Sequence, residues 1–383
     1  MKRVFYCYFV SSFINNKVLK KIIVSVTNDL ATDQRVDKVC NSLKAEGFNV
    51  LLIGRKLKNS PKIKRKYQTK RFKLLFNKGF LFYAEYNIRL FVLLFFRKKD
   101  ILLANDLDTL PANYLICKLQ NKRLVYDSHE LFTEVPELIN RPKTQKVWLI
   151  VEKSILPHLK NNYTVCDSIA NYYKNKYNTT FSVIRNVPKL QNNIDNKYTF
   201  PFKTANKKII IYQGSLNIGR GLELMIETTK HLENCIFVIV GTGDIEKELK
   251  KTVAKNKLNN KVKFLGRIPP NELKNITPKA DLGISLEEDL GLNYHFALPN
   301  KIFDYIHAEI PVLASNLPEM KQLVIQYKVG EIAENRTPKK LALQIKNILN
   351  KPKNQFKKSL FKAKNNLNWQ QESKKLLKLF KNT

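Results

Sequence analysis

No two of the five cysteines, Cys7, Cys40, Cys117, Cys166 and Cys235, stand at C-x-x-C or Cys/His metal spacing, and their number is odd. That excludes a disulfide framework and a structural zinc site as organisers of the fold, and it is the pattern of a reduced, cytosolic chain. Acids are scarce: 32 Asp+Glu stand against 68 Lys+Arg, a formal net charge of +36. Such a surface attracts polyanions, whether nucleic acid, anionic lipid or a phosphorylated substrate. The excess runs through every region, as a lysine-rich genome would produce, so charge alone selects no partner. No nucleic-acid-binding module is recognisable. No uninterrupted apolar run reaches the ~18–20 residues that cross a bilayer, because Glu85 and Arg89 break the best candidate. Repeats of solenoid period are absent as well.

What is present begins with length. A chain of 383 residues is too long for one ordinary core and predicts two domains. Residues 1–20, with the short apolar stretch KRVFYCYFVSSFI, are expected to be an extension or weak anchor outside the folded body. Residues 56–99 carry fourteen Lys+Arg against the single acid Glu85, interleaved with Phe80 to Tyr83 and Phe91 to Phe96. A basic, aromatic segment of this kind can lie on an anionic membrane face.

The second half alternates short β-rich runs with helical ones, which predicts βαβ units and a parallel sheet. Six strands are expected there: Lys208 to Gln213, Cys235 to Val240, Val262 to Leu265, Asp281 to Leu286, Pro311 to Ala314 and Gly330 to Ala333. The first half repeats the theme less regularly. Its candidate strands are Lys21 to Val26, Asn49 to Ile53, Asp100 to Ala104, Arg123 to Tyr126, Tyr163 to Cys166 and Phe181 to Ile184. Polar residues 188–206 read as the connection between the two. A last amphipathic helix is expected from about Trp369 to Phe380.

Ligands of parallel α/β sheets bind beyond the carboxyl ends of the strands, so the loops there carry the candidates. After Gln213 comes a glycine-rich turn, Gly214-Ser215-Leu216-Asn217-Ile218-Gly219-Arg220-Gly221, which either cradles a phosphate at a helix N-terminus or is a plain tight turn. Gly241-Thr242-Gly243 repeats the pattern. Glu287-Glu288-Asp289-Leu290-Gly291 is either a hydroxyl-binding acidic loop or a solvated turn. Pro299 opens a helix whose first turn carries Lys301, a poor choice beside the positive end of the helix dipole. Two readings stay open for it: an ion pair with Asp304, or a grip on a bound anion while Asp304 accepts a hydroxyl hydrogen bond. In the first half, Asn28 and Asp29, then Asp106 and Asp108, then Asp127, His129 and Glu130 follow three strand ends and converge on one rim. His129 there is either structural or a group that accepts, donates or orients a hydroxyl proton.

These residues resemble the nucleotide-sugar glycosyltransferases of the GT-B fold, specifically retaining family 4. The likeness runs from Lys21 onward and is most specific in Tyr212 to Ile226 and Pro299 to Ser315. That family's turn reads G-R-x-x-x-x-K-G, its two cations holding the donor diphosphate; here Gly214 and Gly221 match, Arg220 replaces the lysine and Ser215 the arginine. Lys301 is the candidate for the missing cation. The family's two glutamates, seven residues apart, correspond to Glu288 and, shortened, to Asp304, with a longer spacing here. A glycine usual after the second acid is Glu309.

The resemblance implies an α/β protein of GT-B architecture, two Rossmann-like domains whose parallel sheets face each other across a cleft. Residues 21–187 would form the acceptor domain, 188–206 the linker, 207–362 the donor domain, and 363–383 a helix returning to the first domain. The expected reaction moves a sugar, as a hexosyltransferase, from a nucleotide-diphosphate donor to an acceptor hydroxyl with retention, in polysaccharide or glycoconjugate assembly. Catalytic candidates are His129, Arg220, Lys301 and Glu288. Donor binding falls to Gly214, Ser215, Gly219, Arg220, Gly241, Gly291, Lys301 and Asp304, with the backbone of Arg267 and Ile268 facing the base. The acceptor side comprises Asn28, Asp29, Asp106, Asp108, Asp127 and Glu130. Neither a metal nor a cofactor is expected, although Asp106-Leu107-Asp108 spells D-x-D. The expected partners are the donor, a glycan or lipid-linked acceptor and an anionic membrane contacted peripherally from the cytoplasm, but not nucleic acid. Arg220→Ala and Lys301→Ala are each expected to lower transfer and donor hydrolysis strongly with the fold intact. Two rivals stand beside this: a degenerate transferase acting as a binding partner, for which Ser215 and Glu309 argue, and a nucleic-acid binder, for which charge alone argues.

Overall fold

The computed structural model describes residues 19–31, 33–190, 198–204, 206–352 and 354–381. The expected extension, residues 1–20, lies outside them except for Leu19 and Lys20, as does much of the linker. Strands in the second half are continuous apolar runs, KIIIYQ and CIFVIV being the clearest, as strands buried on both faces of a parallel sheet must be. They are β8 (Lys208–Gln213), β9 (Cys235–Val240), β10 (Val262–Gly266), β11 (Leu282–Ser285), β12 (Val312–Ala314) and β13 (Gly330–Ile332). Their order is β10-β9-β8-β11-β12-β13, all parallel. The first half forms β1 (Lys21–Asp29), β2 (Asn49–Arg55), β3 (Gln68–Phe72), β4 (Ile101–Asn105), β5 (Arg123–Ser128), β6 (Asn161–Thr164) and β7 (Ser182–Val183), ordered β3-β2-β1-β4-β5-β6-β7. Both sheets thus reverse direction beside their first strand, between β1 and β4 and between β8 and β11. A doubly wound sheet opens a ligand crevice at that switch point. The GT-B architecture expected from the sequence is the one found.

Three expectations need correction. Among the described residues the first sheet has seven strands, not six: β3, QTKRF, is an edge strand with one buried residue, Phe72, and so lacks an apolar signature. Residues 56–99 are not one amphipathic segment but this strand followed by the helix Gly79–Phe96, whose Phe82, Tyr86, Leu90 and Leu94 are buried. By length and composition alone that helix is long and apolar enough to cross a membrane, although Glu85 and Arg89 interrupt its apolar run as the sequence shows. Last, the boundary after residue 362 falls inside the helix Lys357–Asn366, whose Leu360 and Ala363, with Leu367, belong to the core of the second domain. The chain changes domain just beyond, since Trp369, Leu376 and Phe380 of the final helix Trp369–Lys381 join the core of the first. The Trp369 indole donates to Ser42 Oγ at 2.9 Å to fix it there.

Candidate functional site

The glycine-rich turn after β8 is folded back tightly on its neighbours. A Cβ at Gly221, φ 70°, would lie 2.1 Å from the Leu286 carbonyl, and one at Gly241, φ 140°, 1.8 Å from the Gly214 carbonyl. Only glycine allows these backbones to meet in these conformations. The turn therefore sits directly beside the segment after β11, where Glu288 N–H donates to the Gly219 carbonyl at 2.9 Å.

Lys301, in the first turn of the helix Asn300–His307, does not pair with Asp304. Its ammonium donates to Glu287 Oε1 and lies 4.5 Å from the centre of the Tyr212 ring, only 8% exposed. The same carboxylate oxygen is 3.8 Å from the Arg220 guanidinium, which stacks 5.2 Å from the Tyr294 ring and remains 29% exposed. Ser285 Oγ donates to Glu287 Oε2 at 2.6 Å. Burial pushes the Glu287 carboxyl up, but Lys301, Ser285 and Arg220 outweigh it and hold the pKa below the ordinary carboxylate value. One buried anion thus holds the two cations side by side, and their combined charge with it is about +1 at neutral pH. Arg336 ties down the backbone behind it, donating to the Leu286 carbonyl at 3.0 Å and to the Glu287 carbonyl at 3.3 Å.

One turn further along the helix, Asp304 accepts from the Gln213 amide at 2.8 Å, and that amide's oxygen accepts from Thr277 Oγ1 at 2.7 Å. Burial raises Asp304 to about 6 against the opposing pull of Gln213, Lys38 and Lys301. These groups border a cavity of about 940 Å³ whose opposite wall carries Asn28, Arg35, Lys38 and His129 of the first domain. Lys38 donates to Asn186 Oδ1 at 2.7 Å and to the Val187 carbonyl at 2.8 Å. Burial, with Arg35 nearby, lowers it to about 7. A second cavity of about 320 Å³ brings His129 and Glu130 opposite Arg220, Asn293 and Asn300. Both domains supply its walls, and Asn293 donates across the cleft to Glu130 at 3.2 Å.

His129 is clamped. Its Nε2 lies 2.9 Å from Asp127 and its Nδ1 3.1 Å from Asp106, whose other oxygen accepts from the His129 N–H at 3.0 Å. Burial disfavours the charged ring, but the two carboxylates raise its pKa well above the usual value. Each ring nitrogen faces a carboxylate, an arrangement that favours the charged ring donating from both over a neutral ring with a lone pair free for a hydroxyl proton. Asp127 is fully buried and also receives Arg35 through two bonds of 3.1 and 2.8 Å. Burial pushes it up, but Arg35 and His129 hold it at about 2.

The other acceptor-side candidates divide. Asn28 lines the large cavity and Glu130 the small one, whereas Asp29 turns to Ser60 and Arg71. Asp108 is buried against Thr27 Oγ1 at 2.5 Å, and burial with Asp106 beside it lifts its pKa to about 7. On the donor side, Glu288 is half-buried and 3.9 Å from Arg336. Gly291, φ 120°, starts the turn of helix that carries Asn293. The Arg267 side chain is exposed and Ile268 packs against the core; neither lines the large cavity, whose nearby edge is formed by Asn271, Lys274 and Thr277. Glu309 stands at φ 59°, so it occupies the left-handed conformation that glycine takes without strain, and accepts from Lys364 at 2.8 Å. Sequence reasoning missed Arg35, Lys38, Gln213 and the part played by Glu287. Arg35 and Lys38 follow β1 in the helix Gln34–Ala45, where a surface charge and a cleft charge read alike.

Residues 194–375 match the family model Glycosyl transferases group 1. No curated protein matches the chain in sequence. Among solved structures, it superposes on sucrose-phosphate synthase from Thermosynechococcus elongatus with a TM-score of 0.78 at 16% identity, over 95% of this chain and 98% of that one. WaaG, a glycosyltransferase involved in lipopolysaccharide biosynthesis, gives 0.69 at 14% identity, over 93% and 98%. Anabaena HepE in complex with UDP-glucose gives 0.69 at 14%, over 95% and 100%. In fold this chain is a GT-B protein, and the part of it from residue 194 to 375 matches glycosyl transferases group 1.

Proposed function

We propose that this protein is a nucleotide-sugar glycosyltransferase that transfers a hexosyl group with retention of configuration. The observation that carries the reading is the pair of cations, Arg220 and Lys301, held together at the switch point of the second sheet, one helical turn from Asp304 and a cavity large enough for a nucleotide sugar. In this reading the donor diphosphate meets Arg220, Lys301 and the turn Gly214 to Gly221. Asp304 with Gln213 takes the ribose, and Glu288 faces the sugar. Charge developing on the departing diphosphate is stabilised by cations already in place, which is where preorganised electrostatics contribute most to rate. His129 adds a fixed positive edge across the cleft, and Asn28 with Glu130 orients the acceptor. The family match from residue 194 to 375 supports this, as does the fold shared with the UDP-glucose complex of HepE.

Polysaccharide or glycoconjugate assembly, at the cytoplasmic face of a membrane, is the setting that we infer. The reading needs neither metal nor cofactor. A thermal-shift screen of the full chain against UDP, GDP, ADP and CMP tests it: a ligand at 100 times its dissociation constant adds ~2.7 kcal/mol of stability. No shift with any of them sinks the donor-site assignment. The engagement of both cations by Glu287, which cancels one of their two charges, favours a second reading, a non-catalytic binding partner; nucleotide release from any sugar donor excludes it.

A further inference from the structure

The helices Gly79–Phe96, Leu110–Gln120 and Pro142–Ile155 lie side by side, the first packed on the second and the second on the third, as one layer over the first sheet. Tyr83 and Trp148 meet edge-on at 5.1 Å to join the outer two. A layer of this kind in a monomeric protein normally turns polar side chains to water. Here the outer surface is apolar. Leu81, Ile88, Val92 and Phe96 recur at helical spacing on the first helix, and all are exposed, Phe96 at 81%. Leu115 and Leu119 continue the surface on the second helix, and Val147 and Ile150 on the third.

The charges on this layer have one sign. Arg89, Lys118, Lys143, Lys146 and Lys153 are exposed. The two acids on the three helices are withdrawn: Glu85 is bound by Arg89 at 2.8 Å and by the N–H groups of Leu75 and Phe76, and Glu152 is 1% exposed, held by Tyr177 and Lys176. An apolar surface this wide, on three helices whose exposed charges are all cationic, fits a partner that is apolar beneath an anionic layer. A second copy of the chain is a poor occupant, because a two-fold contact would bring cationic rims together in a protein of net charge +36.

We propose that this three-helix layer is the face on which the protein lies on an anionic lipid bilayer, with the apolar side chains in the acyl boundary and the lysines at the headgroups. The layer is mechanically continuous with the cleft. Asn87, on the inner side of the first helix, donates to the Asp108 carbonyl at 2.8 Å and accepts from the Ala112 N–H at 3.2 Å. Trp148 packs edge-on against Phe132 at 5.1 Å, three residues beyond His129. The bilayer surface would therefore lie close to the acceptor side, so an acceptor carried on a lipid reaches the cleft without leaving the membrane. This last step alone rests on the transferase reading.

The test is co-sedimentation of the full chain with phosphatidylcholine vesicles, with and without about 30 mol % phosphatidylglycerol, at low and high salt. Binding is expected only with the anionic lipid, weakened by salt. The exposed-site variant V92E/L119E/I150E is expected to lose at least ~10-fold in partitioning, since each change sets an acid against the acyl boundary. Circular dichroism and nucleotide-sugar hydrolysis without lipid should be unchanged in it. Equal binding by the variant, or none by the wild type at low salt, overturns the proposal. So does a dimer seen by light scattering without lipid that the variant abolishes. Vesicle binding with no hydrolysis of any sugar donor would instead refute only the transferase reading.

Discussion

Replacing Lys301 by Met leaves Glu287 buried, its side chain wholly inaccessible, with Arg220 at 3.8 Å as the remaining cation. Breaking a buried ion pair from one side costs ~3–5 kcal/mol, and the surviving Arg220 places this case near the lower end. For a domain of this size that is a fall in melting temperature of roughly 6 to 12 °C. Glu287→Leu should cost a similar amount by orphaning Lys301. The double variant Lys301→Met/Glu287→Leu replaces the pair with apolar groups and should recover most of the loss, giving a coupling of at least ~2 kcal/mol. The pH dependence has a definite sign. In the wild type the depressed pKa of Glu287 contributes stability that is present above its ordinary value and lost as pH falls through the folded one. The Lys301→Met deficit should therefore be larger at pH 7 than at pH 4. Urea unfolding of the four proteins, read on the second-domain transition, measures both. Additive single effects would refute the account of Glu287 as the organiser of this site. Sequence reasoning expects an intact fold for Lys301→Ala; the buried Glu287 reverses that expectation.

Arg220 is partly exposed and carries no such burden, so Arg220→Ala should leave the melting temperature within ~2 °C while lowering transfer by ~100–1000-fold, read as initial rates with a saturating donor. Asp304 has its pKa raised to about 6 by burial, so its contribution is fully present below the ordinary carboxylate value and is lost as pH rises through about 6. Asp304→Asn should stabilise the protein by on the order of 2 kcal/mol at pH 8 and by nothing measurable at pH 4, while weakening nucleoside-diphosphate binding in calorimetry. Loss of stability at pH 8 would contradict the buried-carboxylate account. His129→Gln keeps hydrogen-bonding groups but removes the charge between Asp106 and Asp127, and should lower stability at pH 7 by ~3 kcal/mol; an unchanged urea midpoint would show that the ring is not charged.

The second sheet was legible because fully buried parallel strands are written as apolar runs, and β8 and β9 have the bounds that the pattern predicts. β3 was not, since an edge strand with one buried residue carries no pattern. The positions of Arg220, Lys301 and Asp304 could be inferred from strand ends and a misplaced lysine. Their partners could not: Glu287 is the first of three adjacent acids, and only the chain path after β11 turns it inward while Asp289 faces solvent. The clamp on His129 was hidden for the same reason. Asp127 is two residues away in sequence, but Arg35, which fixes Asp127 from the far side, is 92 positions off. Side-chain identity announced the charges, and tertiary packing decided which of them are already spent on each other.

The return of the final helix to the first domain has a mechanical consequence. The chain passes between domains twice, near Pro188 and at Leu367 to Trp369, and the two passages are bonded: Trp369 N–H donates to the Pro188 carbonyl at 2.8 Å and Leu190 N–H to the Gln370 side chain at 3.0 Å. Two crossings stitched together act as one seam rather than two tethers. This connectivity favours rotation about that seam, like jaws on a single pin, over independent movement at each crossing. A rotation of this kind would have to break the bonds that cross the cleft away from the pin, Asn293 to Glu130 and the Ser168 N–H to Glu319.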